Sequence, residues 1–121
     1  MTEEQWIAVF GNEICSFFPK EESHPDLFVR GTFENVIVGI KHGDRIAIKI
    51  AIALFQQDGK MSFGKPIKCG IAKALREKKN LLDASQLEVI EQLIQKLQAL
   101  TYPPAELKHI RRILEAEPAE L

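Results

Sequence analysis

Reactive and strongly biased residues are scarce in this chain, and each scarcity excludes something. Only two of its 121 residues are cysteine, one is tryptophan and one is tyrosine. Cys15 and Cys69 lie 54 positions apart, which makes neither a metal-ligand spacing nor a disulfide framework; two buried thiols in a reducing cytosol are expected. Sixteen basic residues nearly cancel seventeen acidic ones, for a net charge of −1. No global field then draws the protein to nucleic acid or to a membrane surface, and any such binding has to be local. The longest apolar stretch, residues 46–55, is interrupted by Lys49 and reaches about half of the ~20 residues that span a bilayer. The opening Met1-Thr2-Glu3-Glu4-Gln5 is acidic where an export or transit signal is basic, so a cytoplasmic location and no membrane contact are expected.

Catalytic sets are missing from the pattern as well. His24, His42 and His109 are dispersed, and none pairs with another His, Cys or carboxylate at a metal-binding interval. The closest approach to one is His24 beside Glu21, Glu22 and Asp26, which reads as a solvated acidic loop. Asp58-Gly59 lacks the alternating oxygen ligands of a calcium loop, and no serine sits in a Gly-x-Ser-x-Gly elbow. Gly31-Thr-Phe-Glu-Asn-Val36 followed by Ala47-Ile48-Lys49 has the outline of a kinase phosphate loop and its lysine. Two of the three glycines are absent, however, and no His-Arg-Asp or Asp-Phe-Gly follows. An enzyme is therefore not expected, nor a cofactor or metal.

What is present is enough apolar residue, 45%, for one core in one domain over residues 1–121, with a tail that frays from about 116. The middle of that core is Asp44-Arg-Ile-Ala-Ile-Lys-Ile-Ala-Ile-Ala-Leu-Phe-Gln-Gln57, which fits either period. As a strand it alternates strictly, with Ile46, Ile48, Ile50, Ile52 and Leu54 on one face. As a helix it gathers Arg45, Lys49 and Gln56 within about 40° and leaves a narrow polar stripe on a buried rod. Three alanines, an N-cap at Asp44 and a stop at Asp58-Gly59 favour the helix. Residues 26–41 conflict: Arg30 and Glu34 are spaced for a helix, whereas Val36-Ile37-Val38-Gly39-Ile40 suits a strand. Were it a strand, residues 36–55 would form a hairpin around Gly43-Asp44.

The remaining periods are helical. Thr2 with Gln5 has the form of a capping box ahead of Trp6, Phe10, Ile14 and Phe17, giving a first helix over about 3–17, weakened at Gly11. Residues 66–79 place Ile67, Ile71, Ala74 and Leu75 opposite Lys65, Lys68, Lys73, Arg76 and Lys79. Asp83 with Gln86 caps a helix carrying Leu87, Ile90, Leu93, Ile94, Leu97 and Leu100. Pro103-Pro104 then seeds a last one, with Leu107, Ile110, Ile113 and Leu114 inward. Short connections make the last three helices antiparallel neighbours, and the expected fold is an all-α bundle of five or six helices, with α+β as the alternative.

Charge is concentrated in one place. Residues 60–79 hold seven basic residues and one acid, Glu77. There, Lys65-Pro-Ile-Lys-Cys-Gly-Ile-Ala-Lys-Ala-Leu75, with Asn80-Leu81 and Gln86-Leu87 beyond it, resembles the central helix motif of the FinO/ProQ family of RNA-binding proteins over residues 65–87. The resemblance implies an RNA-chaperone-like domain that grips structured RNA with Lys65, Lys68 and neighbouring bases. The chain departs from the family at Phe55-Gln56-Gln57, where Phe-Pro is expected, and at the acidic, glutamine-rich residues 88–100, where an aromatic, arginine-rich helix is expected. The residues themselves point first to a non-enzymatic adaptor, regulator or inhibitor that docks a protein partner on an exposed charged helix face. Lys65, Lys68, Lys73, Arg76, Lys79, Lys108 and Arg112 are its candidate contacts, with RNA as the alternative ligand and a second copy of the chain left open as a partner.

Overall fold

The computed structural model describes residues 2–20, 24–56 and 65–115. These residues form an all-α fold of six α-helices and two short 3-10 segments: α1 (Glu3–Phe10), a 3-10 segment (Asn12–Phe17), α2 (Pro25–Lys41), α3 (Arg45–Gln56), α4 (Lys65–Glu77), a 3-10 turn (Lys79–Leu81), α5 (Ala84–Gln98) and α6 (Leu107–Glu115).

The ambiguous middle resolves to two helices, and the hairpin over residues 36–55 is not formed. Side-chain burial shows why. Val36 and Ile40 are fully buried while Val38, which a strand would place beside them, is 50% exposed. In α3, Ala47 and Ala51 are buried and Ile46 is 41% exposed, which breaks the alternation a strand needs. The turn between the two helices is specified locally. Gly43 adopts a positive φ of 77°; its N–H bonds the Ile40 carbonyl at 2.9 Å and the Asp44 N–H bonds the Gly39 carbonyl at 2.9 Å, a Schellman stop. Asp44 then accepts from the Ile46 N–H at 2.8 Å and starts α3. Arg45, Lys49 and Gln56 form the expected polar stripe of α3, and Lys49 reaches Glu13 at 3.2 Å.

Glycine also sets how closely the helices meet. A Cβ on Gly39 would lie 2.8 Å from the Ala47 Cβ and 3.0 Å from the Phe17 ring, so α2 and α3 touch where α2 has no side chain. The expected helix over 3–17 is split at Gly11, whose φ of 87° ends α1. Its four apolar positions stay on one side regardless: Trp6, Phe10, Ile14 and Phe17 are all buried. Trp6 packs on the rings of Phe10 and Phe33, with centroids 5.4 and 5.2 Å away, and Asn35 donates to the Phe17 carbonyl to fasten α2 to the 3-10 segment. The thiols differ from expectation, since Cys15 is exposed and Cys69 half-buried, both free.

Neighbour relations among the last three helices also differ. Among the described residues, α4 packs chiefly on α2 and α6, and α5 on α3 and α6. The last helix thus lies against both of its predecessors, which are not each other's main neighbours. Its apolar stripe of Leu107, Ile110 and Ile113, all buried, is what α4 and α5 share.

Candidate docking face on helices α4 and α6

Two lysines fix how α4 lies on α6. Lys68, near the start of α4, pairs with Glu106 at 3.3 Å, and both side chains are largely withdrawn from water, at 18% and 7% exposure. Glu106 is the N-cap of α6, because its carbonyl accepts from the N–H groups of His109 and Ile110, and a carboxylate there also suits the positive end of the helix dipole. At the other end Lys79, two residues past α4, donates from Nζ to the Leu114 carbonyl at 2.7 Å in the last turn of α6. Start meets start and end meets end, so the two helices run parallel.

That register locates the rest of the basic residues. The twelve residues from Lys68 to Lys79 run beside the nine from Glu106 to Leu114. Lys73 therefore comes level with His109, and Arg76 with Arg112. The electrostatics agree: His109 is held below the ordinary imidazole value, first by partial withdrawal from water, then by the positive charges of Lys73, Lys108 and Arg112. Lys73, Arg76, Lys108 and Arg112 are exposed. Among the described residues no carboxylate comes within ion-pair distance of any of the four. Arg111, on the same helix, is by contrast paired with Glu115 at 3.9 Å.

The seven sequence candidates thus separate. Lys73, Arg76, Lys108 and Arg112 share one surface contributed by two helices. Lys68 and Lys79 are engaged in joining those helices, and the side chain of Lys65 lies outside what the structure describes. The helical wheel contains the signal that separates Lys68: it stands three and seven positions before Ile71 and Leu75, both buried, and so sits in the apolar stripe rather than opposite it. A lysine placed inward calls for an acid, and Glu106 answers it from 38 positions away. His109 was not among the candidates; its position between Lys108 and Arg112 on a strongly two-faced helix is the sequence feature that marks it.

Elsewhere the structure offers less. A groove of about 300 Å³ between α3 and α5 is lined by Phe55, Gln56, Val89, Gln92, Leu93 and Lys96, small for a ligand site and without an acid–base pair. Among the described residues no three His, Cys, Asp or Glu side chains are grouped to hold a metal ion, and no helix is long and apolar enough to cross a membrane. Glu21 and Glu22, which flank the His24 loop of the sequence reading, and the Asp58-Gly59 stop lie outside the described residues. No family model, no curated protein and no solved structure matches this chain.

Proposed function

We propose that the protein is a small non-enzymatic binding module, an adaptor, regulator or inhibitor, that docks an acidic surface of a protein partner on the joint face of α4 and α6. The observation that carries this reading is the convergence of Lys73, Arg76, Lys108 and Arg112, from two helices about 35 positions apart in sequence, with no carboxylate of the described residues in ion-pair reach. Like charges set at helical neighbour spacings oppose folding by a few tenths of a kcal/mol per pair. An acidic partner removes that opposition and gains steered association as well. The parallel clamp of Lys68 and Lys79 keeps the face preorganised, which lowers the ordering cost of docking.

RNA is the second reading, supported by the same free cations and by the resemblance at residues 65–87. It is the weaker one because Lys68, to which the resemblance gives a part in gripping RNA, is turned toward Glu106.

The test is affinity capture from a cell extract with the wild-type chain and with the Lys73→Glu, Arg112→Glu double variant, each with and without nuclease. Reversing two rim charges is expected to weaken docking by about five- to thirtyfold, at roughly 0.5–1 kcal/mol per residue. A protein captured in the presence of nuclease by the wild type and lost from the variant supports protein docking. Equal capture by both overturns it, and capture that nuclease abolishes transfers the face to RNA.

A further inference from the structure

The docking face contains one group whose charge changes near neutral pH. His109 is half-buried at the seam between α4 and α6, and the register set by the two lysine clamps puts Lys73 level with it across that seam. On its own helix Lys108 precedes it and Arg112 follows three positions later. The charged groups acting on the imidazole are Lys73 from α4 and Lys108 and Arg112 from α6; α5, the other helix packed on α6, contributes none. Among the described residues the charges that act on His109 are therefore positive, the Glu106 carboxylate three positions earlier being paired with Lys68, and an anion seated on the face changes the sign of its surroundings.

We propose that docking on the α4–α6 face is gated by protonation of His109, so that an acidic polypeptide segment binds more tightly as the solution is acidified from about pH 7.5 to about pH 5.5. The inference rests on the docking reading and assigns that face a regulation. In the free protein the partial loss of water, and after it the three cations, favour neutral imidazole. Carboxylates placed beside Lys73, Lys108 and Arg112 reverse the balance, and the complex takes up one proton that the free protein lacks. By linkage, affinity then rises as pH falls, with a ceiling of tenfold per pH unit for one proton. The proton comes from solvent and returns to it on release.

The probe is a rhodamine-labelled oligo-aspartate, whose side chains stay ionised through this window. Its binding is measured by fluorescence anisotropy at about pH 7.5 and about pH 5.5 for the wild type, for His109→Gln and for Lys73→Glu, Arg112→Glu. The wild type is expected to bind about three- to tenfold more tightly at the lower pH, and His109→Gln to show no such rise. The same rise in His109→Gln, with His24 and His42 as the remaining imidazoles, overturns the gating and leaves docking intact. Absence of binding by the wild type at both pH values refutes the docking face itself. Nuclear magnetic resonance of the wild-type imidazole gives an independent reading that needs no variant: the His109 titration shifts upward when oligo-aspartate is added, and an unmoved midpoint in the presence of bound peptide refutes the inference.

Discussion

Replacing Lys68 by methionine removes the charge from one end of the α4–α6 clamp while keeping most of its length. At 3.3 Å two opposite unit charges attract by about 5 kcal/mol at an effective dielectric constant of about 20. Much of that is offset in the wild type by the cost of withdrawing both ions from water. The variant retains the cost without the attraction, because the Glu106 carboxylate, 7% exposed, has no other cation within ion-pair distance among the described residues. A loss of about 3 kcal/mol follows, or a melting point lower by about 10 °C for a chain of this length. Glu106→Gln leaves the more accessible member, since the ammonium keeps 18% exposure and reaches water by a small rotation; about 1–2 kcal/mol is expected. The double variant Lys68→Met, Glu106→Leu carries no buried charge and returns to within about 1 kcal/mol of the wild type, which is the signature of a coupled pair. Urea denaturation followed by circular dichroism measures all four corners of the cycle. If Lys68→Met leaves the melting point unchanged and instead abolishes capture of the partner, Lys68 belongs to the docking face and the clamp is wrong.

Other consequences follow from the same contacts. Gly39→Ala sets a methyl group 2.8 Å from the Ala47 Cβ, two rigid groups that cannot both stay; an overpacking cost of about 1–3 kcal/mol outweighs the roughly 1 kcal/mol that alanine adds to a helix, and calorimetry should show a lower melting point. Gly70→Ala meets only the flexible Ile37 Cδ1, at 3.1 Å, and should be close to neutral in the same experiment. Lys79→Met frees the Leu114 carbonyl and is expected to cost about 1 kcal/mol with earlier amide exchange in the last turn of α6. Because His109 is lowered in the folded chain, the unfolded chain binds more protons as pH falls below about 7. Its contribution to stability is present above the ordinary imidazole value and is lost as pH falls through that value toward the folded one. Stability against urea should therefore decline less on acidification in His109→Gln than in the wild type.

Local signals carried most of the fold. The capping boxes at Thr2 and Asp83 form as their spacing indicates, with the Gln5 and Gln86 N–H groups donating to the cap side chains at 3.3 and 2.8 Å. The stripes of α5 and α6 bury Ile90, Ile94, Leu97, Ile110 and Ile113 as their period requires. What local pattern did not resolve was residues 36–55, because a buried helix and a buried strand are both nearly all apolar and only the partners on each side distinguish them. The split at Gly11 came from the same kind of blindness: four apolar residues at helical spacing stay inward whether the chain between them is one helix or a helix followed by a 3-10 segment. Pairing of helices was illegible for a different reason. Short connections give the direction of the next helix but not its partner, and the shared stripe on α6 brings α4 and α5 to it from two sides.

Charge was legible as a quantity and illegible as a role. Seven basic residues in 60–79 look alike in a count, yet Lys68 and Lys73 differ by about 140° around α4, and that rotation decides whether an ammonium faces Glu106 or solvent. Burial of Lys68 and the Lys79 contact to α6 use two of the segment's charges to hold the helices together, and the fold gains from them without any ligand. Among the described residues Lys73 and Arg76, with Lys108 and Arg112, make no ion pair, and their mutual repulsion weighs slightly against the fold. A surface of that kind is stabilised by whatever anion settles on it, in proportion to the number of cations it neutralises and in inverse relation to salt. Partial withdrawal from water lowers His109 first and the positive field of Lys73, Lys108 and Arg112 adds to it; that field is the one an acidic partner would feel, so the shift of the titration on adding ligand reports occupation of the face.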